Sequence, residues 1–210
     1  MQKLAGILFI LGTLVAILGE SRPVITNVFG TIDNPQLQVE YIQNDPTGWA
    51  VGNLLMGAGS LIAAIGVVLF ARHVQSLSNN RNVRIAGYLG AAMAVVGALF
   101  WAFVIYNRVT KTPQEVVANM DGPLWMGVWM GVGYFLLTEI ALIIIGFLLL
   151  QTGYPKWLAW PVLVLGGLML IATLVLGGFV PAAYYLIFLI LGIALLLLRS
   201  RSPQPLAPAT

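Results

Sequence analysis

Long apolar runs alternate with short polar connectors along the chain. Six of the runs are long enough to cross a bilayer core, which takes about 20 mostly apolar residues. They extend from Leu4 to Gly19, Trp49 to Ala71, Ile85 to Tyr106, Leu124 to Leu150, Trp157 to Leu176 and Ala182 to Leu198. Transmembrane strands would alternate apolar and polar positions over segments of about ten residues. These runs are continuously apolar, so the pattern predicts helices. The first run is short and the fourth long, which predicts different tilts. The expected fold is an all-α polytopic membrane protein with six transmembrane helices.

The connectors differ in kind. The longest, from Glu20 to Gly48, holds Pro23, Pro35 and Pro46, with turn signals at Asn34-Pro35 and Asn44-Asp45-Pro46. Within it, Gln36 to Gln43 can form a short helix or strand. The segment is expected either to cap the helix ends or to serve as a docking surface or lid. Arg72 to Arg84 reads as a solvated connector. The Pro-rich tail after Arg201 is expected to be extended and mobile. Lys3 followed by an apolar core imitates a signal peptide. No small-x-small cleavage site follows, so a retained helix is expected.

Composition agrees with this layout. Of 210 residues, 60% are hydrophobic and 8% charged, against about 25% charged in soluble domains. Soluble enzymes, disordered chains and nucleic-acid binders are thereby excluded. The formal net charge of +3 is not gathered into one basic stripe. Lys3, Arg72, Arg81, Arg84, Lys156, Arg199 and Arg201 fall on one side of a six-crossing layout, and no acidic residue joins them. Arg22, Arg108 and Lys111 share the other side with Glu20, Asp33, Glu40, Asp45, Glu115 and Asp121. The positive-inside rule then places both termini in the cytoplasm, in a cell inner membrane. Trp49, Trp101, Tyr106 and Trp125 fall near the outer interface, and Trp157 and Trp160 near the inner one, as interface anchors or packing residues.

Small residues recur four apart, at Gly59 and Ala63, Gly90 and Ala94, and Gly127 and Gly131. Such pairs let helix backbones approach closely where lipid removes the hydrophobic effect between helices. In the fourth run Gly127, Gly131, Tyr134, Thr138, Ala141 and Ile145 share one face, which reads as a packed seam. The openings of the first, third and fifth runs are alike (Lys3-Leu-Ala-Gly, Arg84-Ile-Ala-Gly, Lys156-Trp-Leu-Ala), which points to three helical hairpins in series.

The chemistry is sparse. The chain has no Cys and one His, which excludes disulfides, thiolate metal sites and haem held between two of its own histidines. No metal site is expected. His73, beside Arg72, is expected to snorkel at the interface. There is no nucleophile with a nearby base and no Lys inside a run. Glu139 is the one acidic residue inside a run. A charge at the bilayer centre costs about 2.5–3.5 kcal/mol on insertion scales. That environment favours a neutral, hydrogen-bonded carboxyl. Thr13, Ser60 and Thr138 are its expected partners, with Asn53 the other strongly polar residue nearby in depth. Three roles are open to Glu139: a hydrogen bond between helices, a proton, cation or polar-ligand site, or a link to another subunit.

Three stretches, Lys3-Leu-Ala-Gly-Ile-Leu-Phe-Ile-Leu-Gly, Gly48-Trp-Ala-Val-Gly-Asn-Leu-Leu and Gly153-Tyr-Pro-Lys-Trp-Leu-Ala-Trp, resemble a family of small bacterial membrane proteins catalogued as domain of unknown function 4386. The resemblance implies a six-helix bundle without an established activity, and it assigns no role to Glu139. The expectation is a non-catalytic membrane protein in contact with lipids and with other membrane subunits or itself. The alternative is a small transporter or ligand-binding protein using Glu139. No cofactor is predicted, while a bound lipid, quinone or pigment stays open.

Overall fold

The structure is a computed structural model that describes residues 1–121, 126–176 and 182–198. Among these the chain forms nine helices and no strand. Six long or apolar helices are α1 (Gln2–Glu20), α4 (Pro46–Leu77), α5 (Arg81–Thr110), α7 (Met126–Gln151), α8 (Lys156–Leu176) and α9 (Ala182–Leu197). Five of the six are long and apolar enough to cross a membrane, and α9 is a shorter apolar helix. Three short helices, α2 (Pro23–Gly30), α3 (Pro35–Asn44) and α6 (Pro113–Asp121), lie in the connectors. The chain is therefore an all-α polytopic protein. The tail after Arg201, with Arg199, Arg201, Leu124 and Trp125, lies outside the described residues.

The helix starts are written in local chemistry. Proline opens α2, α3, α4 and α6, where its missing N–H costs nothing. Asn34 and Asp45 accept from Leu37 N and Gly48 N at 3.1 and 2.8 Å, capping α3 and α4. α6 begins with a capping box. Thr112 N and Oγ1 both donate to Glu115 Oε2, at 2.9 and 2.8 Å. These bonds hold the Glu115 carboxyl below its ordinary value. α7 ends at Gly153, whose φ of 68° is left-handed, and Tyr154 N reaches back to Leu149 O at 3.2 Å.

The connector expected from Arg72 to Arg84 is shorter than its polarity suggests. No helix breaker lies between Arg72 and Leu77, so α4 runs through. Asn80 then caps α5 by accepting from Asn82 N. The extension turns His73 onto the same buried face as Phe70 and Val74. His73 is therefore not a snorkelling residue, and its Nε2 is buried without a partner among the described residues.

Six helices form a ring in the spatial order α8, α7, α5, α4, α1, α9, in which α9 and α8 touch only at a few points. Two of the three expected hairpins, α1 with α4 and α5 with α7, pack closely along their length. The third does not, because α8 packs on α7 and α9 on α1. Gln2 Nε2 donates to Leu195 O and Leu198 O at 2.9 and 3.1 Å, so the starts of α1 and the end of α9 share one end of the ring. The opposite end is covered by α2, α3 and α6. Val24, Ile25, Val28, Ile42, Val116 and Val117 are buried there against Trp49, Met56 and Trp101. The long connector is thus a cap with its own apolar core.

The tightest seam is α1 on α4. Gly12 and Gly19 face Gly59 and Gly52, and a Cβ added at Gly59 would lie 2.5 Å from the Gly12 carbonyl oxygen. Gly66 continues the row against Phe9. Gly52, Gly59 and Gly66 are seven apart, the repeat that keeps one seam facing a partner helix. Gly90 packs on Ile144 across α5 and α7. In α7, Tyr134, Thr138, Ala141 and Ile145 are buried as expected. Gly131 departs from that seam, since a Cβ there would meet nothing within 4 Å. Packing of Gly127 lies outside what is described.

Candidate functional site

Glu139 sits half-way along α7 and is fully buried. Its Oε1 accepts two hydroxyl hydrogen bonds, from Thr173 Oγ1 of α8 at 2.5 Å and from Tyr184 OH of α9 at 2.7 Å. Oε2 is buried with no partner among the described residues. A carboxyl oxygen has two lone-pair directions, and here both are used by donors from different helices. One side chain thus ties together α7 and the two helices that scarcely touch each other.

The partners expected from depth, Thr13, Ser60 and Thr138, do not bond to Glu139. Depth read from the ends of the apolar runs assumes helices of similar length. Which faces of α8 and α9 turn toward Glu139 is decided by helix packing, which depth does not report. The sequence signal for Thr173 is that it is the sole hydroxyl in the run from Trp157 to Leu176. Tyr184 gives a weaker signal, because Tyr185 follows it.

Ser60 and Thr138 belong to a second polar group. Ser60 Oγ and Tyr134 OH are 3.1 Å apart, and Ser60 also donates to Met56 O at 3.0 Å. With Thr138, Ala98 and Phe188 they line a cavity of about 20 Å³ between α4, α5, α7 and α9. That is room for about one water, with hydroxyls to hold it. Thr13 is buried in α1, and its Oγ1 has no partner among the described residues.

Asn53 belongs to a third group, at the capped end. Its Nδ2 donates to Trp49 O at 2.9 Å, and its Oδ1 accepts from Arg108 at 3.3 Å. Trp49 Nε1 donates to the Arg108 carbonyl at 2.9 Å. The Arg108 guanidinium lies between two rings, 5.1 Å from the Phe29 centroid and 5.2 Å from that of Trp101. Trp49 and Trp101 are buried and hold the cap, whereas Tyr106, Trp157 and Trp160 are exposed as interface anchors would be. Phe29 of α2 lies beside Trp49, and Tyr134 and Phe135 of α7 lie beside Trp101.

Aromatic rings connect this end to Glu139. Trp101 stacks on Tyr134 at 4.9 Å, Tyr134 meets Phe135 at 5.4 Å, and Phe135 stacks on Tyr184 at 5.8 Å. Each such pair contributes about 0.5–1.5 kcal/mol beyond its buried area. No family model, no curated protein and no solved structure matches the chain. Its chemistry is therefore read from its own geometry. Among the described residues no three His, Asp or Glu side chains converge as metal ligands would.

Proposed function

We propose that the chain is a non-catalytic multi-pass protein of a bacterial inner membrane, with the Gln2 end of the ring in the cytoplasm. It serves as an accessory or scaffolding subunit that packs against other membrane subunits. One observation carries the reading: Glu139 is enclosed, and its bonded oxygen is used to join helices. The cavity beside the Ser60 group adds support, since its volume of about 20 Å³ suits a water and not a transported solute. A subunit of this kind presents apolar surface outward, and α8 does so at Leu168, Ile171, Leu174 and Val175.

Extraction from the native membrane in mild detergent tests the proposal. Stoichiometric partner chains or a bound pigment are expected, read by mass and optical spectra. A lone, colourless chain would overturn it.

A second reading has its own observation. Glu139 Oε2 is a buried acceptor without a partner among the described residues, which suits a proton, cation or polar ligand held within the membrane. On that reading Glu139→Gln abolishes activity in cells while the protein still inserts and accumulates.

A further inference from the structure

We infer that Arg108 forms the centre of an oxyanion site beneath the α2–α3–α6 cap, fitted to a phosphate group. A guanidinium carries five N–H donors in a planar fork and no acceptor. In this structure one of them is used, on Asn53 Oδ1 at the long distance of 3.3 Å. Asn53 is otherwise committed to the Trp49 carbonyl.

The charge is not met either. Among the described residues no carboxylate pairs with Arg108. Asp45 and Glu115 are spent on the helix starts of α4 and α6. The surroundings are apolar: the guanidinium is half-buried between the Phe29 and Trp101 rings. Ring faces stabilise a cation, but they leave its N–H groups without acceptors. The partly exposed side of the guanidinium leaves its remaining N–H groups open to an acceptor from outside the chain.

A second, independent donor lies beside it. Trp101 is 4% exposed, and its Nε1 is buried without a hydrogen-bond partner among the described residues. It is the same indole whose ring the guanidinium covers. A partly exposed guanidinium with N–H groups to spare, beside a buried indole N–H that has no partner among the described residues, suits an acceptor-rich anion. A planar fork beside an indole N–H suits the oxygens of a phosphate, which Arg binds in bidentate fashion. Position favours the same chemistry. Arg108 is near the capped end of α5, one half-turn from the exposed Tyr106, at the level where headgroups meet the helix ends. The phosphate can come from a lipid headgroup or from solution.

The test uses the full chain, purified in detergent. Phosphatidylglycerol is titrated and counted by native mass spectrometry, and inorganic phosphate is titrated against the thermal midpoint. If the source is lipid, the chain retains phospholipid that Arg108→Gln holds about tenfold more weakly, the loss of charged hydrogen bonds. Trp101→Phe keeps the ring over the guanidinium and removes only the N–H, so it weakens retention to a smaller degree. If the source is free phosphate, the anion raises the midpoint of the unaltered chain and not that of Arg108→Gln, while lipid retention is equal. Should Arg108→Gln fail to accumulate, Arg108→Lys replaces it, since it keeps the charge and loses the fork. Equal lipid retention and equal phosphate response in the unaltered chain and the folded variants would overturn the assignment.

Discussion

Glu139 is kept in the membrane by two hydroxyls, and that arrangement predicts how its replacements behave. Gln keeps a carbonyl oxygen for Thr173 and Tyr184, so Glu139→Gln is expected to accumulate with a thermal midpoint close to the original. Leu removes the acceptor that both hydroxyls share, and each buried hydrogen bond lost costs about 0.5–1.5 kcal/mol. Glu139→Leu is therefore expected to lower the midpoint in detergent, with Tyr184→Phe and Thr173→Val each showing part of that loss. A midpoint for Glu139→Leu equal to the original would remove the structural role. At the surface, Glu115 offers a pH dependence. Its carboxyl is held below its ordinary value by the Thr112 N–H and hydroxyl. The stabilisation is complete above the unfolded carboxylate value and is lost as pH falls through the lower folded value. A loss of amide protection in α6 at acid pH, measured against the intrinsic exchange rate and smaller in Thr112→Ala, which keeps the backbone N–H and loses the hydroxyl, is the expected observation.

Helix pairs in this molecule are decided by where backbones can touch. The α1–α4 seam brings Gly12 and Gly59 so close that any side chain meets backbone. Gly59→Val is expected to separate the two helices and to lower accumulation sharply. Gly131→Leu is expected to leave the isolated chain as stable as before, because the added side chain points into open space. Thermal unfolding of the two variants side by side checks both statements, and a tolerated Gly59→Val would show that α1 and α4 can slide apart at little cost. The four-residue spacing of Gly59 and Ala63 gave half of this seam. The seven-residue row of Gly52, Gly59 and Gly66 is the better signal, since its period carries one face along the whole of a long helix.

For the whole molecule, Gly131 separates internal packing from association. If this face of α7 meets another subunit, Gly131→Leu loses the partner in mild-detergent extracts while the chain itself stays folded. Retained association would move the docking surface elsewhere on the ring. The ring also has one weak joint, between α8 and α9, bridged by Glu139. Cross-linking between cysteines placed on facing positions of α8 and α9 is expected to fall in Glu139→Leu and to persist in Glu139→Gln.

The sequence by itself determined the class and the elements. Continuous apolar runs can satisfy their backbone in lipid only as helices, and proline with Asn, Asp or Thr caps marks where several of them start. Glu139 was legible as the residue needing an explanation, because charge and depth both follow from the run that contains it. The tertiary structure alone decided its partners, the ring order and the cap. Thr173 and Tyr184 meet Glu139 because of the faces that α8 and α9 turn inward, and those faces are chosen only when helices pack. Trp49 and Trp101 read as interface anchors or packing residues, and only the tertiary structure decides for packing. The Arg108 group joins residues from α2, α4 and α5, far apart in the chain. Local sequence fixes hydrogen bonds within four residues, whereas which apolar faces meet depends on shape complementarity summed over whole helices.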